Sequence, residues 1–347
     1  MAYGNAGSIS SAYLDILATT IDEWVEPNGL ILHATHSPML AILYDQSMQP
    51  GGEYQFRQLQ LGGGVDWRIP LIARVIQTSG APAGVTRANM YNAITPAIQQ
   101  DITNIKWLKS TYQAQITDDY IRQTQNTGKE SMVAHLELMY RQLKTDFFEA
   151  VETDLFDNVV GTADKVESFN GCLANTGTVG GIDQSDTTNN SWWNAGNDAT
   201  AEVFNLPAWN RHFDQLTIDS PSPTGIGKGA PDICFLYGDL FSLAREGVEQ
   251  GQRQLEYKEL GKTGYKYFEK NGCRFFRTTK IVADTYLLLN SRTWAWRYLQ
   301  KFPEPVTPGF VPHPDRPGVW IRNYLWTISL GGYSMKHNGR GTNKTAS

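Results

Sequence analysis

The sequence predicts an α+β protein with an extended, ribbon-like segment, and three observations support this. Residues 129–156 contain no glycine or proline and carry apolar side chains every three or four positions, as a long amphipathic helix does. Residues 51–116 include stretches in which apolar and polar residues alternate, which indicates strands with one buried face. Short apolar runs separated by turn residues fill much of 232–330, so the second half predicts a mixture of strands and helices.

The helix at 129–156 has the clearest pattern. Its apolar stripe consists of Met132, Leu136, Tyr140, Leu143, Phe147, Val151 and Leu155. We expect the acidic residues to form a solvated face; they are Glu137, Asp146, Glu149, Glu152 and Asp154. With a rise of about 1.5 Å per residue the helix would be roughly 40 Å long, which predicts a structural spine or a coiled-coil arm.

The segment 51–116 predicts ribbon-like arms. The alternating apolar residues are Val65, Trp67, Ile69 and Leu71 and, later, Tyr112, Ala114 and Ile116. Pro70 falls within this pattern, and a proline places a strand at a sheet edge or in an exposed ribbon. The segment lacks the dense apolar content of a core, so we expect it to lie on another surface.

Other elements follow from weaker patterns. Helices are predicted over 8–25, 207–218 and 240–249. Strands are predicted over 232–236, 265–268, 273–276, 281–283, 286–289 and 320–330. The region 169–197 is rich in Gly, Asn, Thr and Asp and predicts a loop, and 302–317 holds five prolines and predicts an extended connector.

The composition excludes some functional classes. The 347 residues are 41% hydrophobic, enough for a sizeable core. Charged residues make up only 19% and the net charge is −5, so a general nucleic-acid binder with a basic surface is not predicted. A lightly charged surface with plentiful aromatic residues suits broad contacts between copies.

The three cysteines Cys172, Cys234 and Cys273 show no framework spacing, which predicts free thiols in a reducing compartment. We expect a soluble, cytosolic product, since the N-terminus lacks a signal-peptide pattern and no apolar run approaches the roughly 20 residues that cross a bilayer. Residues 316–347 contain no acidic residue but several basic ones. We expect a solvated end there, with a weak phosphate-facing tail as the alternative.

No phosphate-binding loop is predicted. Such a loop needs two glycines at fixed spacing before Lys and Ser or Thr, so that backbone N–H groups surround the anion. The triplet Gly261-Lys262-Thr263 has Glu256 where the first glycine belongs, and Gly227-Lys228 lacks the hydroxyl residue.

No other catalytic or metal motif is complete. His33 and His36 are three residues apart, but the remaining histidines are scattered, so we expect surface or hydrogen-bonded roles. Ser334 lacks the second glycine of a nucleophile elbow. Asp118 and Asp119 precede a helical run and are expected to cap it. The sequence therefore predicts no catalytic residue, no cofactor-binding residue, no metal ligand and no enzyme.

The order of elements resembles the major capsid proteins of tailed bacteriophages, which share the Hong Kong 97-like fold with encapsulins. Order and spacing carry this resemblance more than any one motif. Five stretches match: the N-terminal helix and arm, the extended segment 52–116, the helix 129–156, the stretch 232–254, and the strand pair 268–276 and 283–290. The helix is followed, as in the family, by a Gly-Gly-Ile-Asp motif and a tryptophan motif, here Gly180-Gly181-Ile182-Asp183-Gln184-Ser185 and Trp192-Trp193-Asn194. The sequence departs from the family pattern at Gln184, where the family has arginine.

The resemblance implies a division of the chain. An N-terminal arm would span 1–50, an extended loop 51–116, and an axial domain 161–272. A peripheral domain would combine 117–160, with the spine helix at 129–156, and 273–347.

The resemblance also implies a function. Copies would self-assemble as hexamers and pentamers into the icosahedral head of a virion, built in the cytoplasm of a host bacterium around double-stranded DNA. Contacts with DNA would be weak and sequence-independent. The other implied partners are a portal protein and possible scaffolding and decoration proteins. The resemblance implies no cofactor and no contact with a membrane.

Some family members join a lysine of the extended loop covalently to an asparagine of a neighbour. Residues 1–105 contain no lysine, so we expect no such cross-link through this loop. A covalent ladder on denaturing gels, mapped to the loop, would contradict that expectation.

Three alternatives stay open at the level of sequence. An encapsulin-type compartment has the same fold, and packaged nucleic acid would distinguish the two. A soluble hydrolase that uses loop carboxylates would show a single pocket with converging carboxylates in a monomer. A tail or baseplate component would form rings or tubes.

Overall fold

The computed structural model of the chain describes residues 38–44, 56–60, 66–77, 98–108, 110–117, 129–158, 160, 165–187, 193–218, 229–251, 258–259, 266–299, 303–306, 311–312, 314–315 and 320–346. The predicted helix at 8–25 lies outside the described residues, as do His33, His36, Asp118, Asp119 and the triplet at 261–263.

Helices and strands are mixed throughout these residues, which confirms the α+β prediction. The helices are α1 (Pro38–Tyr44), α2 (Lys129–Phe156), α3 (Phe169–Cys172), α4 (Leu206–Ile218) and α5 (Gly238–Gly251). The first strands are β1 (Arg57–Gln60), β2 (Asp66–Gln77), β3 (Ile98–Leu108), β4 (Ser110–Thr117), β5 (Thr178–Val179), β6 (Ile182–Asp183), β7 (Gly196–Asp198), β8 (Glu202–Val203) and β9 (Ile233–Tyr237). The remaining strands are β10 (Lys258–Glu259), β11 (Lys266–Lys270), β12 (Cys273–Thr278), β13 (Tyr286–Leu289), β14 (Trp294–Tyr298), β15 (Glu304–Pro305), β16 (Val311–Pro312), β17 (Trp320–Gly332), β18 (Gly339–Gly341) and β19 (Lys344–Thr345).

The first sheet is organised around the long strand β17. Strand β4 pairs antiparallel with one edge of β17, from Ser110 opposite Ile328 to Thr117 opposite Ile321. Strands β14, β15 and β16 follow one another along the other edge, and β1 pairs parallel with β14. Successive residues of β17 point to opposite faces, so its four even-numbered residues from 324 to 330 reach the core while Leu325 and Thr327 lie on the outer face.

Helix α2 packs on the inner face of this sheet, as its apolar stripe predicts. Phe148 meets Trp326 of β17 with ring centroids 5.2 Å apart. The expected solvated face is wrong at two positions, because Glu152 is only 1% exposed and the side chain of Asp154 is only 12% exposed. A periodic pattern assigns each residue a side of the helix, but the end of α2 is enclosed on several sides by the chain that follows it, so an off-stripe carboxylate becomes buried there.

The second sheet has seven strands in the order β10-β11-β12-β9-β13-β18-β7. Strand β9 is apolar on both faces: Ile233 and Phe235 join the core shared with α2, whereas Cys234 and Leu236 join a second core under α4 and α5. The same division repeats along β13. A continuous apolar run therefore marks a strand covered on both faces, which is why 232–236 lacks alternation.

A tight turn fixes the register at one end of this sheet. Lys270 pairs with Cys273, so β11 and β12 are joined by two residues, Asn271 and Gly272, with φ of 55° and 78°. Two consecutive positive φ angles match the type I′ hairpin turn, for which Asn-Gly is the favoured pair. Phe268 and Phe275 then stack across the two strands, with centroids 4.6 Å apart.

Strands β2 and β3 form a two-stranded antiparallel ribbon, in agreement with the alternation that begins β2 and with Pro70 at an unshared edge. The ribbon prediction is wrong for Tyr112, Ala114 and Ile116, because these residues lie in β4, whose alternation reflects its pairing with β17 in the first sheet. The pairing runs from Asp66 opposite Leu108 to Gln77 opposite Ile98, with a register shift between Ile72 and Arg74. Twelve residues in β2 give a ribbon of about 40 Å.

The prediction of a loop over 169–197 is wrong in part. The segment contains α3 and the small β5–β6 hairpin, and Phe169, Val179 and Trp193 are fully buried. Glycine and asparagine dominate its sequence because tight turns connect these short elements: Asn175, Gly177, Gly180 and Gly181 all have positive φ.

The prediction of a solvated C-terminus is also wrong. Lys344 is 1% exposed, and strands β18 and β19 pair with other parts of the chain. Basic residues without acidic neighbours in sequence resemble a solvated tail, but their partners lie far back along the chain.

Candidate assembly surfaces and buried polar clusters

The described residues hold no group of three or more His, Cys, Asp or Glu side chains that could bind a metal ion. His212 has the hydrogen-bonded role predicted for it: its Nδ1 lies 2.8 Å from the Tyr286 hydroxyl and its Nε2 lies 3.1 Å from the Gly196 carbonyl oxygen. Cys172, Cys234 and Cys273 are free, as predicted, and all three are buried. Burial raises the pKa of both Cys172 and Cys273, so these two thiols stay protonated at neutral pH.

A cavity of about 160 Å³ opens between the β11–β12 turn and the start of β9. Its one carboxylate is Asp232, whose oxygens accept hydrogen bonds from Ser291 N at 2.8 Å and Ser291 Oγ at 2.5 Å. Burial raises the pKa of Asp232, against the opposing effect of these hydrogen bonds. A single carboxylate held by a neighbouring serine is not the converging pair that the hydrolase alternative requires.

The ribbon is anchored to the first sheet at its base. The Arg297 guanidinium lies 3.8 Å from the centroid of the Trp67 ring, and Trp67 meets Tyr333 edge-on at 6.2 Å. Trp67 is 5% exposed, so a stacked cation and an aromatic edge cover the first residues of β2. This contact fixes where the ribbon leaves the subunit.

An apolar margin lies along one edge of the first sheet. It consists of Leu299, Val306 and Val311, which are 46%, 52% and 37% exposed. Leu299 N donates to Thr327 O and Val306 N donates to Asn323 O, while Val311 pairs with Ile321, so all three follow the same side of β17. Exposed apolar groups in a row mark surfaces that other molecules cover.

The outer face of the same sheet carries a group of neutral side chains on β4 and β17, bordered by Glu304 of β15, which pairs with Leu325. Thr111, Gln113 and Gln115 of β4 are exposed and stand opposite Thr327, Leu325 and Asn323 of β17. The two threonine hydroxyls lie 3.1 Å apart and form a cross-strand hydrogen bond. This set of six, the neutral face, contains no charge that would repel a second copy.

A buried asparagine connects the two sheets. Asn338 Oδ1 accepts from Asn290 N at 2.7 Å and from Trp294 Nε1 at 2.9 Å. Its Nδ2 donates to Thr293 Oγ1 and to Ser334 O, both at 2.9 Å. The side chain is fully buried and all four of its hydrogen-bonding positions are used, which rigidifies the junction.

Residues 338–346, the C-terminal strap, are held by a buried ammonium group. Lys344 Nζ donates to Asp198 Oδ2 at 2.9 Å, Glu202 Oε1 at 2.8 Å and Thr200 O at 2.9 Å. Partial burial would raise the pKa of Asp198, but hydrogen bonds from Lys344 and Thr200 outweigh it and lower that pKa. The strap is thereby fixed to β7 and β8.

A third polar cluster ties β4 to the end of α2. The Tyr112 hydroxyl donates to Asp154 Oδ2 at 2.5 Å and accepts from Val166 N at 3.1 Å. Lys165 Nζ lies 3.0 Å from Asp157 and 3.5 Å from Asp154. Burial and the Asp154 hydrogen bond raise the pKa of Tyr112, so the phenol stays protonated.

Comparison with solved structures identifies the fold. The chain is similar to the cyanophage A-1(L) capsid subunit, with a TM-score of 0.62 and 13% identity over 90% of this chain and 93% of that one. It is also similar to the capsid of an empty GTA particle, with a TM-score of 0.52 and 11% identity over 84% of this chain and 94% of that one. The chain has the Hong Kong 97-like capsid fold. The encapsulin of the holo-SrpI complex from Synechococcus elongatus PCC 7942 matches this capsid fold with a TM-score of 0.52 and 12% identity, over 84% of this chain and 86% of that one.

Neither a protein-family model nor a curated protein matches the sequence. At 11–13% identity, the likenesses to capsid and encapsulin structures show the fold of the chain. No described helix is both long enough and apolar enough to cross a bilayer.

Sequence reasoning missed the polar residues that hold the subunit together. Asn338 and Lys344 carry no motif, and their partners are remote in sequence, up to 146 residues away for Asp198. The one available signal was the run of basic residues near the C-terminus without acidic neighbours, and it was interpreted as a solvated end.

Proposed function

We propose that this chain is a major capsid protein whose copies assemble as hexamers and pentamers into the icosahedral head of a tailed phage. The observation that carries the proposal is the capsid fold itself, matched over nine tenths of the chain by a cyanophage capsid subunit. The head would enclose double-stranded DNA, with a portal and possible scaffolding and decoration proteins as further partners. Its place would be the virion, after assembly in the bacterial cytoplasm.

The proposed domains follow the fold. Helix α2 would be the spine of a peripheral domain made of 117–160 and 273–347, since it packs on the sheet that β17 organises. The second sheet with α4 and α5 would belong to an axial domain at 161–272, with strands contributed from beyond it. The β2–β3 ribbon would form the extended loop of 51–116, and 1–50 would form the N-terminal arm.

The contacts between copies would use surfaces that the single subunit leaves uncovered. The apolar margin supplies area whose removal from water favours association. The neutral face beside it is polar without carrying charge, which limits repulsion between subunits of net charge −5.

An encapsulin-type compartment is the second candidate, because the SrpI encapsulin matches the same fold over 84% of the chain. The two candidates differ in contents and not in subunit architecture. A phage head encloses DNA, whereas a compartment of this type encloses protein cargo.

The test is electron microscopy of the purified full-length protein together with its mass in solution. Closed shells, or free hexamers and pentamers, support the proposal, and nuclease-protected DNA inside shells selects the phage head. Shells that contain protein and no nucleic acid select the compartment. A compact monomer that stays monomeric across salt and concentration, and also in the presence of its phage's scaffolding protein, contradicts both.

A further inference from the structure

The C-terminal strap packs directly on a buried histidine. His212 on α4 is 4% exposed, and the backbone of β18 runs past its ring. A Cβ added at Gly339 would lie 2.9 Å from His212 Nε2, and one added at Gly341 would lie 2.1 Å from the ring of Tyr286. Only glycine fits at these two strap positions, because the strap touches both members of the His212–Tyr286 pair.

The contacts of the imidazole define its protonation state. The Gly196 carbonyl can only accept, so the nitrogen facing it, Nε2, carries the hydrogen. His212 Nδ1 is then the acceptor for the Tyr286 hydroxyl at 2.8 Å. The neutral ring satisfies both contacts at once, whereas a second proton on Nδ1 would turn an acceptor into a donor opposite the Tyr286 O–H.

The charges that face His212 come from the elements that the strap connects. They are Asp198 on β7 and Lys344 on β19, and Glu202 on β8 is paired with the latter. Asp198 attracts an imidazolium, but its Oδ2 is already engaged by the Lys344 ammonium group at 2.9 Å. Lys344 is shared between Asp198 and Glu202, and Arg211 pairs with Glu202 at 3.7 Å. A proton on His212 would therefore add a third cation to two carboxylates that two cations already occupy.

We propose that His212 is an acid-sensitive latch for the C-terminal strap. One proton from solvent adds to Nδ1, and the Tyr286 hydroxyl must rotate away. The imidazolium then gains hydration when β18 separates from α4 and from its two neighbouring strands β13 and β7, and β19 separates from β8. No covalent bond changes, and neutralisation restores the closed strap.

The direction of the pH effect follows from linkage. Burial lowers the pKa of His212 below its ordinary value of 6.5, against smaller opposing effects of the Gly196 carbonyl and Asp198. Opening therefore takes up a proton, so the closed strap is most stable above about pH 6.5. Its stability falls as pH drops below that value and levels off below the pKa of the closed state.

The test is hydrogen–deuterium exchange, followed by mass spectrometry of peptides from 338–346, on the full-length protein between pH 7.5 and 5. After correction for the intrinsic pH dependence of amide exchange, the opening constant should rise by up to about tenfold per pH unit. His212→Gln keeps an N–H donor but does not titrate in this range, so this rise should disappear. His337→Gln is the comparison, since burial lowers the pKa of that neighbouring histidine as well: any share of the rise that His337 supplies disappears in this variant, and the share that remains must disappear in His212→Gln.

Deuterium exchange at the imidazole C2 position of the wild-type protein reports the protonation of His212 without any substitution. His212 should become protonated over the same pH range in which the strap opens. A strap that opens while His212 stays neutral, or that opens with the same pH profile in His212→Gln, overturns the proposal. These peptide measurements apply to free subunits and shells alike, so failure to form shells would contradict the capsid function and leave the latch to be judged separately.

Discussion

The junction between the two sheets should be the position most sensitive to a small polar change. Replacing Asn338 by alanine removes four side-chain hydrogen bonds from a fully buried site. The Asn290 N–H and the Trp294 Nε1–H lose their acceptor, and each buried donor left without a partner costs about 1–3 kcal/mol. Together with the small cavity left by the amide, the expected loss in the free energy of unfolding is about 3–5 kcal/mol.

The assay is thermal and urea unfolding of both proteins in the same assembly state. Unfolding entropy is about 2.1 cal/mol/K per residue, which gives about 0.7 kcal/mol/K for this chain, so the melting temperature should fall by about 4–7 °C. The matched control is Asn197→Ala, which removes an exposed amide from the neighbouring strand β7 and should change stability by less than about 0.5 kcal/mol. Equal stability of the two variants would refute the argument that Asn338 holds the junction.

Three further predictions concern other contacts. Lys344→Met leaves Asp198 and Glu202 facing each other without their cation and should lower the free energy of unfolding by about 2 kcal/mol. This is less than the loss for a fully buried pair, because both carboxylates retain some exposure to solvent. Urea unfolding measures the loss, and an unchanged midpoint would contradict the role of Lys344 in holding the strap. Tyr112→Phe removes the hydroxyl that links β4 to the end of α2 and should cost about 1–2 kcal/mol by the same assay, with no loss arguing against that link. Val306→Asp places a charge on the apolar margin, so monomer stability should be unchanged while sedimentation shows fewer shells, and normal shell yield would remove the margin from the proposed contacts.

The parts of the fold predicted from sequence are those specified by local periodicity. Helix α2 begins at Lys129 and ends at Phe156, as its pattern indicates, and the second half of its apolar stripe, from Leu143 to Leu155, is buried in one core. The strand character of β2 and β4 is likewise visible as alternation, although their partners β3 and β17 are not, and Asn271-Gly272 is a local turn signal. In each case the residues that determine the structure lie within a few positions of one another.

The parts that were not predicted depend on contacts between remote segments. Glu152 lies off the apolar stripe and was assigned to solvent, yet the surrounding chain buries it. Lys344 pairs with residues more than 140 positions earlier in the chain. Asn338 accepts hydrogen bonds from Trp294 and Asn290, which lie 44 and 48 positions earlier. The sequence pattern of a single segment does not show which remote residue will become its partner, because the two residues meet only after the two sheets have formed.

The distribution of charge is compatible with the proposed role of the chain as one subunit of a shell. The ions with the closest partners lie inside the single chain, where Lys344 is paired with two carboxylates and does not depend on a neighbour. The neutral face offers hydroxyl and amide groups, which form hydrogen bonds in more than one arrangement and do not repel an identical surface. In the proposed shell, hexamers and pentamers would require the same surfaces to meet at slightly different angles. Neutral polar and apolar contacts tolerate such variation better than ion pairs, whose energy depends on a fixed geometry.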